Sequence, residues 1–243
     1  MCGRVVTTSS PEELSEYVGA DAIVDVLDGP DHNVPPSGRL PLVWVDVAEG
    51  PTRMLGTARW GLVPRWAKDS SIGDRLFNAR AETVAEKPSF RAAFRNQRCL
   101  IPVDGFYEWG PGPGGSPKQP WFVHRVDGAP LTMAGLWEGR VGDDGALLRT
   151  CTVITVPANA DLAPVHHRMP ALLPPGDWAD WLDPTTPDRC TVEALLASAP
   201  EGLLERHPVD RRVNDARRKG EDLVQAVHEG RDSGPHEDRK ALW

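Results

Sequence analysis

The chain has 243 residues, 40% of them apolar and 26% charged, with a formal net charge of −8. That balance describes a water-soluble globular protein, and no run reaches the roughly 18 apolar residues of a membrane helix. The N-terminus lacks a secretory signal, which points to a cytoplasmic protein, and Cys2, Cys99, Cys151 and Cys190 show no CxxC pairing, a wide spacing that fits reduced thiols better than a disulfide framework or zinc site.

Along the chain, Arg4 to Thr7 reads as a short strand. Ser10-Pro11-Glu12-Glu13 supplies the cap, first-turn proline and acidic start of a helix reaching about Val18. Apolar alternation predicts strands over Leu42 to Val47 and Met54 to Leu62. Ser89 to Gln97 is a short helix, with Phe90 and Phe94 one turn apart. Strands follow over Cys99 to Trp109, Trp121 to Arg125, Leu131 to Glu138 and Leu147 to Val156. A glycine-proline turn at Pro111 to Pro117 and a hairpin signal at Gly142-Asp143-Asp144-Gly145 separate some of them. Helices return over Asp177 to Leu182 and Asp188 to Ser198. Many strands, few helices and no regular βαβ alternation predict a single α+β domain over residues 1–227, built on a mainly antiparallel, barrel-like sheet with peripheral helices. The polar stretch from His228 to Trp243 reads as a disordered tail.

The charge is unevenly placed. Residues 53–98 carry ten bases (Arg53, Arg59, Arg65, Lys68, Arg75, Arg80, Lys87, Arg91, Arg95, Arg98) against four acids, a net of +6 within an acidic chain. Local basic surface of that kind is what a phosphate backbone requires, although a solvated face balanced by acids elsewhere has the same composition.

Cys2 follows the initiator methionine, and removal of Met1 leaves an α-amine and a thiol on adjacent carbons. With ordinary pKa values of about 8 and 8.5, both are partly nucleophilic at neutral pH. The pair traps aldehydes: the amine forms an imine and the thiol closes on its carbon to give a thiazolidine. Three further segments set polar residues among glycine, proline and aromatic residues: Phe77 to Thr83, Asp104 to Trp109 and Val165 to Pro170. If the first is extended, Asn78, Arg80 and Glu82 lie on one side. Together with Cys2 they supply an amide, a carboxyl group bracketed by aromatics and an imidazole. Singly, each also reads as a turn residue, an ion-pair partner or a surface histidine.

The segments Met1-Cys2-Gly3-Arg4, Asn33-Val34-Pro35-Pro36, Trp60 to Pro64, Asn78 to Thr83, Gly105 to Trp109, His166-His167-Arg168-Met169-Pro170 and His207-Pro208-Val209 resemble, in order, those of the SRAP family, the SOS response-associated peptidases. The resemblance implies a single-domain, mainly β fold with a positively charged groove, and a protein that covalently captures abasic sites in single-stranded DNA; the residues show no metal-ligand spacing, and a monomer without cofactor is expected. By motif, Cys2 is the nucleophile, Asn78 positions its amine and the sugar, Glu108 is the acid-base carboxyl, and His166 assists Schiff-base chemistry. His167 is its surface neighbour. Implied DNA contacts are Arg4, Asn33, Pro36, Trp66, Arg80 and Lys87; Trp66 fits either base stacking or core packing. A proline stands in Asn33 to Pro36 where family members usually carry alanine, and Ala67 follows Trp66 where some relatives have a second aromatic. Two other readings use the same residues: a cysteine peptidase that removes its own Met1, and a non-covalent single-strand binder in which Cys2 is incidental.

Overall fold

The computed structural model describes residues 2–112, 117–141, 145, 147–185 and 188–227. In chain order the elements are β1 (Val5–Thr7), α1 (Pro11–Val18), β2 (Ala22–Ile23), β3 (Asp31–Val34), β4 (Arg39–Asp46), β5 (Thr52–Trp60), β6 (Asn78–Arg80), α2 (Ala81–Val84), α3 (Arg91–Asn96), β7 (Arg98–Val103), β8 (Gly105–Gly110), β9 (Gln119–Arg125), β10 (Leu131–Val141), β11 (Leu147–Pro157), β12 (Arg168–Pro170), α4 (Trp178–Leu182), α5 (Arg189–Ala194) and β13 (Leu204–Pro208). Short 3-10 turns lie at Ser70–Arg75, Pro175–Asp177, Arg211–Asn214 and Glu221–Val224.

Five strands close a barrel in the order β11-β10-β7-β4-β5. Its antiparallel ladders run through pairs such as Trp137↔Cys151, Gly135↔Cys99 and Val43↔Leu55. The last seam, β5 against β11, is parallel, with Arg59 opposite Thr150 and Trp60 opposite Cys151. Beyond that seam the same edge of β11 passes to β6, again parallel, with Asn78 opposite Val153 and Arg80 opposite Thr155. On its other side β11 exchanges β10 for β12, which places Pro170 opposite Thr155. The end of β11 thus leaves the barrel as the middle of a small β6-β11-β12 platform.

A second, open sheet has the order β13-β9-β8-β1-β3. The strand expected over Cys99 to Trp109 is two strands, because the chain crosses from barrel to sheet at Asp104. There the Asp104 N–H donates to the Val6 carbonyl at 2.9 Å, and its carboxylate accepts the Thr8 and Ser9 N–H groups at 2.5 and 3.0 Å. Gly105 permits the crossing, since a Cβ there would stand 2.4 Å from the Phe122 ring. Side chains then alternate as a strand requires. Val5 and Phe106 enter the main core shared with the barrel, whereas Val6 and Tyr107 enter a smaller cluster with Phe122, Val209, Val213 and Leu223.

Local signals formed α1 as expected. Ser10 and Glu13 make a reciprocal capping box, and Gly19 ends the helix at φ 62°. The expected helix after Asp188 ends at Ala194. Strands β2, β3, β6, β12 and β13 were not anticipated; they are short, and their partners rather than their own patterns define them. The centre of the expected Pro111 to Pro117 turn, most of the hairpin signal at Gly142 to Gly145 and the tail from His228 lie outside the described residues.

The basic stretch is only partly surface charge. Arg53 donates to the Val18 carbonyl at 2.6 Å, and Arg59 and Arg65 pair with Asp74 and Glu138. Arg98 is buried, and its guanidinium donates to the carbonyls of Trp181, Arg95 and Phe94 at 2.6, 2.7 and 2.9 Å and also to that of Asp183. Replacing it strands several buried acceptors, so Arg98→Ala should lower the unfolding free energy by about 2–4 kcal/mol, measured by urea denaturation.

Candidate functional site

Cys2 is buried, immediately before β1. Because β1 is hydrogen-bonded to β3 on one side and β8 on the other, the segment before it is held against the barrel. The Tyr107 N–H extends the β8 ladder to the Arg4 carbonyl at 2.9 Å. From the barrel side, Asn78 Nδ2 donates to the Cys2 carbonyl at 2.6 Å. The other half of that amide, Asn78 Oδ1, is buried and has no hydrogen-bond partner among the described residues. An acceptor free at this place suits an amine donor beside Cys2.

Glu108 follows Phe106 by two along β8 and so faces the same way, toward Cys2 and the main core. Its side chain is buried, and Oε1 accepts the Trp109 N–H at 3.2 Å. Burial, then the Glu108 charge, push the Cys2 thiol far above its ordinary value. The expectation of a partly ionised thiol therefore does not hold in this closed arrangement: desolvation keeps it protonated.

His166 ends a turn in which its N–H donates to the Leu162 carbonyl at 3.0 Å. That turn reaches the end of β8 because Gly110 has no side chain; a Cβ there would lie 3.2 Å from Val165. His166 Nδ1 lies against the Arg168 backbone, 3.0 Å from its N–H and 3.2 Å from its carbonyl, and it accepts from the one or donates to the other according to the ring's tautomer. Burial lowers the His166 pKa below 6.5, and the Glu108 charge opposes the shift. Glu108 thus acts electrostatically on both Cys2 and His166, and the three form one cluster with Asn78 at its edge.

Two clamps hold these segments in register. Arg168 is buried and pairs through both nitrogens with Glu82, Nη2 lying 3.0 Å from Oε2, while Nη2 also donates to the Thr155 carbonyl at 2.5 Å. The pair spans β11 and ties the segment after Asn78 to the segment after His166. Glu82 does not share an extended face with Asn78 and Arg80, because the strand stops at Arg80 and Glu82 opens α2. Second, Arg4 Nη1 donates to Asn33 Oδ1 at 2.6 Å and to the Val213 carbonyl at 2.7 Å, and its guanidinium lies 5.8 Å from the Trp109 ring centre. Asn33 is wholly buried and donates to the carbonyls of Val213, Asp215 and Arg218. It stands behind Arg4 and reaches the site only through it.

The remaining expected contacts lie on the surface. Pro36 opens the turn into β4, where Ser37 takes φ 71° and the Gly38 N–H donates to the Pro35 carbonyl at 3.0 Å. Trp66 is 59% exposed, so core packing is not its role; its Nε1 donates to the Pro88 carbonyl at 3.3 Å. Arg80 and Lys87 are exposed, as are Lys68, Arg75, Arg91 and Arg95, and none of the six joins an ion pair among the described residues. Arg140, which sequence reasoning passed over, donates to the Ala67 carbonyl and adds another exposed cation near Trp66.

Residues 1–216 match the family model of the SOS response associated peptidases. The chain belongs to the SRAP family. It is 34% identical over 227 residues to the abasic site processing protein YoqW of Bacillus subtilis, covering 93% of this chain and all of that one. It is 30% identical to the abasic site processing protein HMCES of Xenopus tropicalis, covering 97% of this chain and 81% of that one. A crystal structure of a protein from Bacteroides thetaiotaomicron superposes with a TM-score of 0.81 over 93% of this chain and all of that one at 23% identity, and so shares the fold. No described helix is long and apolar enough to cross a membrane.

The Glu82–Arg168 pair is the feature of this SRAP site that the motifs hid, although both residues stand within them. Arg168 holds the Glu82 carboxyl below its ordinary 4.5. Such a group stabilises the fold above its unfolded value and loses that contribution as pH falls through the lower folded value. The stability difference between wild type and Glu82→Gln should therefore be full above about pH 5 and shrink on acidification, read from urea midpoints across the pH range. For His166, NMR titration should give a midpoint below about 6.5, and Glu108→Gln should lower it further by removing the charge that favours the imidazolium.

Proposed function

We propose that this protein captures abasic sites in single-stranded DNA through Cys2 once Met1 has been removed. The observation that carries the reading is the clasp on Cys2: Asn78 on its carbonyl at 2.6 Å, with buried Glu108 and half-buried His166 acting on the same pocket. The names borne by the relatives, abasic site processing proteins from bacteria and vertebrates, support it.

The chemistry balances without an added reagent. The Cys2 α-amine attacks C1′ of the ring-opened sugar, water leaves the carbinolamine, and an imine remains. The thiol then adds to the imine carbon while its proton passes to nitrogen, closing a thiazolidine. Amine, thiol and aldehyde have become one ring plus one water. Glu108, buried beside the reacting atoms, takes and returns protons in these steps, and His166 serves as a second proton-transfer group kept neutral near pH 7. Oδ1 of Asn78 accepts from the free amine and aims its lone pair. A thiol held protonated by burial does not compete as the first nucleophile; it acts after the amine has fixed the aldehyde.

Binding of the flanking strand falls to the exposed cations and Trp66. Arg80, Lys87, Arg91, Arg95 and Arg140 offer charge to phosphates, and the indole offers a face for a base. Such contacts tolerate any sequence, as capture of a lesion requires.

An oligonucleotide with one abasic site should give a heat-stable shifted band on a denaturing gel with the Met1-processed protein, and none with Cys2→Ala. An equal band from both proteins would sink the proposal, as would an unshifted oligonucleotide with wild type.

A further inference from the structure

The His166 ring is held from two directions. Its Nδ1 lies against the Arg168 backbone, 3.0 Å from the N–H and 3.2 Å from the carbonyl, and one face lies against the ring of His167, with centroids 4.3 Å apart and planes inclined by 28°. His167 is exposed, yet its backbone is fixed: its carbonyl accepts the Ala158 N–H at 3.1 Å where β11 ends. It joins no ion pair among the described residues, and the stack is the interaction its side chain makes there. A histidine ring has a broad torsional well about its last bond, so contacts made in the plane of the ring at one edge do little to fix that plane. A second flat ring against its face removes that freedom.

We propose that His167 is a positioning residue for His166: the stack fixes the plane of the His166 imidazole, keeping Nδ1 on the Arg168 backbone and Nε2 at a set angle for proton transfer beside Glu108 and Cys2. The proposal rests on the covalent-capture reading above. Within it His167 touches no substrate and acts through its neighbour. The surrounding charges agree. Glu108 favours the His166 imidazolium, whereas His167 opposes it. The Cys2 thiol is neutral, and Glu82 is engaged by Arg168. Positive charge on His167 at stacking distance therefore works with burial against the His166 imidazolium.

The test compares His167→Ala, which loses both ring and charge, with His167→Phe, which keeps a flat face without charge. In wild type, adduct formation with the abasic oligonucleotide is followed against pH, and His166 is titrated by NMR with its contact to the Arg168 amide as a monitor of ring orientation. His167→Ala should lose the amide contact and slow adduct formation about tenfold at pH 7, a cost of misplacement alone. His167→Phe should keep the contact and most of the rate. Both should raise the His166 midpoint and bind an undamaged oligonucleotide as wild type does. A wild-type rate and pH profile in His167→Ala overturns the proposal, as does a His167→Phe protein no better than His167→Ala. If wild type forms no adduct, the capture reading falls by itself, and a His166 contact and midpoint unchanged in His167→Ala then overturns the positioning role.

Discussion

Every peptide group on the edge of β11 must find a partner, and that requirement organises the molecule. One strand cannot supply them all. β5 serves Thr150 and Cys151, and β6 takes over at Val153. Between them the Gly61 N–H donates to the Cys151 carbonyl and the Val153 N–H to the Phe77 carbonyl. The handover closes the barrel and in the same act puts Asn78 at the rim. On the opposite edge β12 replaces β10, which brings the residues just after His166 alongside. Two of the four residues of the cluster are therefore set by the hydrogen-bonding needs of one strand that has outrun its barrel.

The other two come from the second sheet, where β1 lies between β3 and β8. Its central place explains why so short a strand, three residues long, can hold the start of the chain: it is paired on both sides, and Asp104 and Tyr107 extend the contacts beyond its ends. Glu108 is presented by alternation along β8, and the bare backbone of Gly110 lets the His166 turn close over it. Burial then divides the labour. It silences the thiol and keeps the imidazole uncharged, and the carboxyl group sits where it influences both.

Much of this was legible in the residues, unevenly so. Long strands and α1 follow from alternation and capping, which are local. The crossing at Asp104 does not, because an apolar run passing between two sheets has the same pattern as one that stays in a single sheet. Short strands such as β6 and β12 were invisible for a related reason: three residues hold too little pattern, and β11 makes them strands. The motif segments named Cys2, Asn78, Glu108 and His166, and the structure gathers them. The set expected to face DNA is less uniform. Trp66, Arg80 and Lys87 are exposed, but Asn33 is sealed behind Arg4, since a motif marks a residue without telling whether its side chain looks outward or inward. Net charge misled in the same manner, as four of the ten bases in the central stretch serve carbonyls or carboxylates of the fold.

The parallel seam between β5 and β11 has a kinetic meaning as well. It joins strands far apart along the chain, the kind of contact whose loop-closure entropy makes it late to form. Asn78 reaches its place only when that seam is zipped, and His166 only when β12 has docked on the same strand. A nascent or partly folded chain accordingly carries a cysteine near its start but none of the apparatus around it. Folding thus does two opposite things to the same cysteine: it withdraws the thiol from water and gathers Asn78, Glu108 and His166 around it.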